Sequence, residues 1–152
     1  MRAVLQRVVN ASVTVDNTQV SSINRGLCVL LGIASDDTLE DLEYMIKKIL
    51  KVRMFEDEKG EKWWSRGVKE AGLEILCISQ FTLYGSLTRD KLSFHNAMKS
   101  DKSKEMYSTF INRLKQEYDE GRIKDGVFGA MMNGPVTIEL DSRKFTYDKS
   151  NK

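Results

Sequence analysis

The feature that most restricts the fold is the run "LCVLLGI" at residues 27–33, in which every side chain is apolar or absent. A short run without a polar face is typical of a central β-strand that is covered on both sides. A second run, "LEILCIS" at residues 73–79, has a similar character. The chain must therefore place further elements on both faces of a sheet.

Two longer segments show helical periodicity. After the N-capping cluster "SDDT", the apolar residues between 39 and 53 fall on one helical face and the charged residues lie elsewhere. The segment from Ser103 to about Tyr118 repeats this pattern. Each amphipathic helix needs an apolar surface to cover, and the sheet supplies it.

Shorter patterns complete the predicted fold. Residues 2–15, "QVSSI" and "VTIEL" predict strands, and "MFEDEKGEKWW" predicts a hairpin with its turn at residues 58–60. Together they predict an α/β fold of the α+β type, with a mixed, mostly antiparallel sheet or partial barrel and two main helices packed on it. We expect one domain over residues 1–141 and a short polar tail over residues 142–152.

Composition excludes several classes of protein. No window approaches the roughly 18 consecutive apolar residues of a membrane-spanning helix, and the N-terminus does not resemble a signal peptide, so we expect a cytoplasmic protein. The net charge is +2, from 24 Lys and Arg against 22 Asp and Glu. Because a dedicated nucleic-acid-binding domain usually has a larger basic excess, a polynucleotide would have to meet a local patch.

The supply of reactive side chains is small. His95 is the only histidine, and no strained nucleophile turn lies near it. Cys28 and Cys77 lie inside apolar runs, where a buried structural thiol is expected. No closely spaced metal ligands and no phosphate-binding glycine loop occur, so we expect neither a metal nor a cofactor.

The stretch "SQFTLYG" at residues 79–85 interrupts this apolar pattern with polar side chains at the end of a predicted strand. Buried polar groups without partners cost about 1 to 3 kcal/mol each, so these groups need partners or solvent. One interpretation is a strand end entering solvent, and the other is a site that stabilises an oxyanion. The pattern alone does not choose between them.

A resemblance adds to this interpretation. "SQFTL" and "GPVT", together with "AVLQRV", "ASVTV" and "IKDGVFGAM", resemble the D-aminoacyl-tRNA deacylases, also called D-tyrosyl-tRNA deacylases, from Met1 to about Leu140. The resemblance implies hydrolysis of the ester that joins a D-amino acid to the 3′-terminal adenosine of tRNA. It also implies a homodimer with active sites at the subunit interface.

The resemblance also assigns residues. Ser79, Gln80, Phe81 and Thr82 would line the pocket, with the Phe81 backbone N–H as oxyanion donor. Gly134 and Pro135 would form a Gly-cisPro element that enters the partner's pocket and excludes L-amino acids. The residues expected to support this element are Arg7, Asn133, Val136 and Thr137.

The implied chemistry uses the ribose 2′-hydroxyl of the tRNA, with the protein positioning the ester. No base stands beside Thr82 in the sequence, so we expect a supporting role for its hydroxyl. A backbone barrier rejects side chains by clash, which predicts activity on several D-aminoacyl-tRNAs and on glycyl-tRNA. The alternative is a non-catalytic nucleic-acid-binding dimer that retains the fold. The basic residues proposed to hold the acceptor end of tRNA are Lys47, Lys48, Lys51, Arg89, Lys91 and Lys99.

Two stretches depart from the family pattern. "SLTRDKLSFHNAM" lacks the glycine and proline that the family has in this loop, and "GAMM" meets "NGPVT" where the family has a further strand. Without that strand the chain would be too short for the Gly-Pro element to reach the pocket. Either the protein has lost these residues or the sequence omits them, and an intact mass of 17.4 kDa would refute omission.

Overall fold

The structure is a computed structural model, and it describes residues 1–130 and 136–140. The strands are β1 (Arg2–Val8), β2 (Ala11–Val15), β3 (Thr18–Ile23), β4 (Gly26–Gly32), β5 (Glu74–Ser79), β6 (Ser86–Thr88), β7 (Lys91–Ser93) and β8 (Ile123–Asp125). The helices are α1 (Leu39–Lys51) and α2 (Ser100–Glu117), with short 3-10 helices at Phe81–Tyr84 and Glu120–Arg122.

The central sheet has the strand order β1-β4-β5-β8. β1 is antiparallel to β4, whereas β4 and β5 are parallel, as are β5 and β8. The parallel pairs arise because α1 lies between β4 and β5, and α2 lies between β5 and β8, and such crossovers bring the chain back in the same direction. The β2–β3 and β6–β7 pairs are antiparallel hairpins. The predicted α+β fold with a mixed sheet and two main helices is confirmed.

Both helices cover one face of the sheet. α1 begins at a capping box in which the Thr38 side chain accepts from the Asp41 N–H and Asp41 accepts from the Thr38 N–H. Buried residues of α1 and α2, including Ile46 and Phe110, pack in one core with Leu27, Val29 and Leu31 of β4. These alternate residues of β4 point to the helices because side chains alternate along a strand.

The opposite face of the sheet is covered differently. Cys28 and Leu30 of β4 pack there with Leu83 of the 3-10 helix. The β2–β3 hairpin covers β5 through a cluster of Val13, Ile23 and Leu76. All seven residues of β4 are buried, which confirms the predicted central strand covered on both sides.

Both cysteines are free and buried. Burial raises the pKa of the Cys28 thiol, and complete burial raises the pKa of Cys77 to about 12. A thiol with such a pKa carries almost no reactive thiolate at neutral pH. The predicted structural role of these cysteines therefore agrees with their environment.

Some local predictions differ from the structure. Residues 136–140, predicted as a strand, form no strand, and the Thr137 carbonyl accepts from the Thr82 hydroxyl. The predicted hairpin after residue 53 reduces to a single bridge between Phe55 and Arg66, with Asp57 accepting from the turn amides of Glu61 and Lys62. The expected tail at residues 142–152 lies outside the described residues. Within the described part of the chain, neither helix is long and apolar enough to cross a membrane.

Candidate active site

The "SQFTL" stretch lies where β5 ends beside β4. Ser79 is the last residue of β5 and pairs with Leu31, and the Gln80 N–H donates to the Leu31 carbonyl over 2.8 Å. The chain then turns into the 3-10 helix Phe81–Tyr84. Four residues that the resemblance assigned to the pocket, Ser79 to Thr82, are therefore held at one end of the sheet.

Gly32, the last residue of β4, permits this turn. A Cβ atom there would lie 3.0 Å from the Leu83 Cβ, 3.1 Å from the Gln80 carbonyl oxygen and 3.2 Å from the Tyr84 ring. Real Cβ atoms rarely have neighbours this close, so a larger residue would push the 3-10 helix away from the strand. No sequence pattern singles out Gly32, because its requirement comes from residues about 50 positions later.

The Thr82 hydroxyl is the centre of a short hydrogen-bond chain. The Gln80 side-chain amide donates to Thr82 Oγ1 over 2.6 Å, and Thr82 Oγ1 donates to the Thr137 carbonyl over 2.7 Å. Thr82 is only 5% exposed. The Thr82 hydroxyl thus donates to a backbone carbonyl and accepts from a side-chain amide.

Phe81 presents an exposed ring beside this chain. Its side chain is 54% exposed, and its ring contacts Phe94 edge-to-face with a centroid distance of 5.1 Å. A Cβ atom at Gly85 would lie 3.1 Å from the Phe94 ring, so this glycine lets Phe94 approach. The two residues that flank Phe94 are also linked, by a hydrogen bond of 2.8 Å between Ser93 Oγ and His95 Nδ1. His95 is exposed on this loop.

Arg2 is a site-forming residue that the sequence reasoning missed. Its guanidinium donates to the Leu83 carbonyl over 2.7 Å and lies 4.6 Å from the centre of the Tyr84 ring. It also lies 3.9 Å from the Glu139 carboxylate. Arg2 therefore connects β1, the 3-10 helix and the segment after the "GPVT" motif. No pattern at the N-terminus indicated this, because Arg2 occupies an ordinary polar strand position.

Tyr84 and the N-terminus lie next to Arg2. Burial, and secondarily the nearby Asp37 carboxylate, raises the pKa of Tyr84 to about 12, so its ring stays neutral beside the guanidinium. The Met1 ammonium forms an ion pair with Asp37, whose other oxygen accepts from the Ala34 N–H over 2.6 Å. These contacts fix the start of β1, and with it Arg2, against the end of β4.

Arg7, predicted to support the Gly-Pro element, lies in another cluster of the same chain. It donates to the Met54 carbonyl over 2.8 Å and stacks near Trp63 and Trp64, at 5.0 and 5.6 Å from their ring centres. Trp63 and Trp64 are 58% and 64% exposed. This cluster therefore lies on the surface of the chain.

The remaining predicted residues divide into two groups. Asn133, Gly134 and Pro135 lie outside the described residues. Val136 is 65% exposed, and Thr137 is half-buried against Thr82. Residues 1–130 and 136–140 contain no group of three or more His, Cys, Asp or Glu side chains arranged to hold a metal ion.

Nearly the whole chain is similar to known proteins of one family. Residues 4–141 match the family described as D-Tyr-tRNA(Tyr) deacylase. A D-aminoacyl-tRNA deacylase of Drosophila melanogaster is 52% identical over 148 residues, covering 93% of this chain and 92% of that protein. D-aminoacyl-tRNA deacylase 1 of Homo sapiens is 51% identical over 148 residues, covering 93% of this chain and 70% of that protein.

These alignments also bear on the length of the chain. The alignment with the fly protein extends over 148 positions, whereas 93% of a 152-residue chain is fewer residues than that. Some positions of the relative therefore have no counterpart here. This agrees with the shortened stretches that the sequence pattern indicated.

Two solved structures are similar to this fold. One, named "c-Myc DNA Unwinding Element Binding Protein", has a TM-score of 0.84 and 51% identity, covering 93% of this chain and 99% of that chain. Another, named "Structural Analysis of a probable eukaryotic D-amino acid tRNA deacylase", has a TM-score of 0.73 at 19% identity. It covers 84% of this chain and 88% of that chain, and at this identity it shows the fold alone.

Proposed function

Since this chain belongs to the D-Tyr-tRNA(Tyr) deacylase family and is a D-aminoacyl-tRNA deacylase, we propose how its residues carry out the reaction. The enzyme hydrolyses the ester between a D-amino acid and tRNA, releasing both. The ester carbonyl lies against the 3-10 helix Phe81–Tyr84, and the Phe81 backbone N–H stabilises the oxyanion that forms. Ser79 and Gln80 line the same pocket.

The observation that carries this mechanism is the engaged hydroxyl of Thr82. Because it accepts from Gln80 and donates to the Thr137 carbonyl, its proton is not shared with a base. The attacking group is then water assisted by the 2′-hydroxyl of the substrate ribose, and the protein contributes position and electrostatic stabilisation. The proposed reaction uses neither a metal nor a cofactor.

Chirality selection belongs to the Gly134-Pro135 element, with Asn133, Val136, Thr137 and Arg7 in support. The hydrogen bond from Thr82 to Thr137 holds the segment that directly follows the element beside Thr82 of the same chain, from where the element would extend to the partner's pocket. A wall of backbone carbonyls rejects an L side chain by clash and makes few contacts with a D side chain. Activity on several D-aminoacyl-tRNAs and on glycyl-tRNA follows from it.

The assembly that we propose is a homodimer with the active sites at its interface, located in the cytoplasm with its tRNA substrate. The exposed Arg7, Trp63 and Trp64 cluster and the 54% exposed Phe81 supply surface for such an interface. Sedimentation equilibrium tests it, with a mass of twice 17.4 kDa expected. A monomer at micromolar concentration would contradict this part of the proposal.

The decisive experiment for the mechanism compares Thr82→Ala with Gln80→Ala in single turnover on D-tyrosyl-tRNA. We expect Thr82→Ala to retain substantial activity, because it removes a support and not a reacting group. A loss near 10⁴-fold would indicate nucleophilic catalysis instead. Parallel assays with L-tyrosyl-tRNA, glycyl-tRNA and a second D-aminoacyl-tRNA test chirality selection. Strict preference for one D-amino acid would contradict the backbone barrier.

A second candidate function is nucleic-acid binding without catalysis. It is favoured by the 51% identity to the solved structure of a "c-Myc DNA Unwinding Element Binding Protein". Fluorescence anisotropy with tRNA and with duplex DNA separates the two candidates when combined with the deacylation assay. Tight DNA binding by a protein that leaves D-tyrosyl-tRNA intact would favour the second.

A further inference from the structure

The β6–β7 hairpin projects from the site just described. β6 starts two residues after the 3-10 helix, and β7 runs back to Phe94, whose ring contacts Phe81. Arg89 forms the turn with a φ of 55°, in the left-handed region that marks a tight reversal. The hairpin is therefore a short arm with its base beside the Phe81 ring.

The arm is exposed and basic at its tip. Every residue from Leu87 to Leu92 is exposed, and the charged ones are Arg89, Asp90 and Lys91. Leu87 and Leu92 pair directly across the two strands and are 38% and 44% exposed. The tip thus carries two cations and one carboxylate, a net positive charge, next to an apolar pair. Such a surface suits a partner with both anionic and apolar parts.

The base of the arm is fixed relative to the site. Gly85 has no room for a Cβ atom, which would lie 2.9 Å from the Thr82 carbonyl oxygen. After Phe94, the Ser35 N–H donates to the Asn96 carbonyl over 3.0 Å, and the Met98 N–H donates to the Ile33 carbonyl over 2.9 Å. The 3-10 helix and the segment after β4 therefore hold the two ends of the arm, which fixes its base beside Phe81.

The length of the arm suits a nucleic-acid strand. Lys91 precedes Phe94 by three residues, and an extended strand rises about 3.3 Å per residue, so about 10 Å separates them along the arm. In duplex DNA each strand carries one phosphate about every 3.4 Å of axis, and a stacked single strand has a spacing of the same order. A strand whose 3′ end lies at Phe81 would therefore bring its last few phosphates within reach of Lys91 and Arg89.

Other lysines proposed to bind the tRNA acceptor end lie on the other side of the molecule. Lys47, Lys48 and Lys51 are exposed on α1, which packs against the Leu31 face of β4. The 3-10 helix packs through Leu83 on the opposite face, against Leu30. The sheet thus separates the α1 lysines from the site, whereas it leaves the arm next to it.

We propose that the β6–β7 hairpin is an RNA-binding arm in which Arg89 and Lys91 contact phosphates of the single-stranded 3′ end of the substrate. The Leu87 and Leu92 pair lies against sugar or base surfaces of the same strand. The inference rests on the proposed placement of the ester at Phe81. It assigns substrate binding to a part of the chain that does not carry out the reaction.

The experiment compares a substrate that has phosphates with one that has none. Arg89→Gln/Lys91→Gln is assayed on D-tyrosyl-tRNA and on the ester 3′-O-D-tyrosyl-adenosine, and Lys47→Gln/Lys51→Gln is the matched control. We expect KM for the tRNA to rise roughly tenfold in the arm variant, with kcat and the hydrolysis of the small ester unchanged. The slope of log affinity against log salt should fall in magnitude by about 1.4, since each single-strand phosphate contact contributes about 0.7. A variant with Lys instead of Gln at position 89 should keep part of the affinity for tRNA.

Three results would overturn the proposal. An equal loss of kcat/KM on both substrates would mean that the arm shapes the pocket. An unchanged KM for tRNA with an unchanged salt slope would mean that the RNA binds elsewhere. A larger effect in the α1 control would assign binding to the helix face. If the wild-type protein hydrolyses neither ester, the proposed function fails by itself. Anisotropy with uncharged tRNA then still tests the arm, and equal affinity of wild type and arm variant would reject it.

Discussion

The two faces of the central sheet are built on different principles. The face that carries α1 and α2 has one continuous core, with fully buried Phe110, Leu114 and Ile46 among its members. The opposite face has two small clusters, around Leu83 and around Leu76, and relies on hydrogen bonds made by Arg2 and Thr82. Apolar burial therefore stabilises the fold from one side, whereas directed polar contacts shape the site on the other.

The largest effect is expected on the helix face. Phe110→Ala should lower the free energy of unfolding by about 3 to 5 kcal/mol, because a fully buried ring leaves a cavity. Leu83→Ala, on the site face, should cost about 2 to 3 kcal/mol, since its cluster is smaller. Urea unfolding of both variants measures the contrast, and equal costs would mean that the two faces do not differ in this way.

Gly32→Ala should instead disturb the site more than the fold. The added Cβ would push against Leu83 and the Gln80 carbonyl, so we expect activity to fall by more than about tenfold with a loss of about 1 to 3 kcal/mol in stability. Gly126→Ala is the control, because its Cβ would meet Val13 at an ordinary 3.6 Å. A fully active Gly32→Ala enzyme would show that the 3-10 helix tolerates displacement.

Arg2→Met tests the polar contacts of the site face. It removes the hydrogen bond to the Leu83 carbonyl and should cost about 1 kcal/mol in stability and several-fold in kcat. The ion pair between Arg2 and Glu139 is 3.9 Å long and half exposed, so its loss in Arg2→Met should contribute little beside the lost hydrogen bond. Urea unfolding and the deacylation assay measure both effects, and wild-type stability and kcat in Arg2→Met would show that this hydrogen bond does not support the site.

The smallest effect concerns the pH dependence of stability. Because burial raises the pKa of Cys77 from 9.0 to about 12, the unfolded chain loses its thiol proton before the folded protein does. The protonated Cys77 thiol therefore makes its full contribution to the free energy of unfolding below pH 9, and this contribution decreases as the pH rises toward 12. Cys77→Ala should therefore flatten the decline of unfolding free energy between about pH 8 and about 10.5, by up to about 1.4 kcal/mol per pH unit above pH 9. If the free energy of unfolding has the same pH dependence in variant and wild type, burial does not raise the pKa of the Cys77 thiol.

Much of the fold could be predicted because its signals are local. The apolar run at residues 27–33 specified a strand covered on both sides, and the helical periodicity located α1 and α2. The failures were also physical: "VTIEL" alternates like a strand, yet the Thr137 carbonyl pairs with the Thr82 hydroxyl. Alternation predicts a face to be buried, but a strand also needs a neighbour with free backbone groups.

The order of residues along the chain was enough to establish the two-sided strand, the amphipathic helices and the family. Three features needed the folded chain: Arg2 joins the site, Gly32 supports the 3-10 helix, and this helix packs on the opposite face of the sheet from α1 and its lysines. The physical reason is that these contacts join residues far apart in the chain. Their partners are chosen by packing and hydrogen-bond geometry, which no local pattern records.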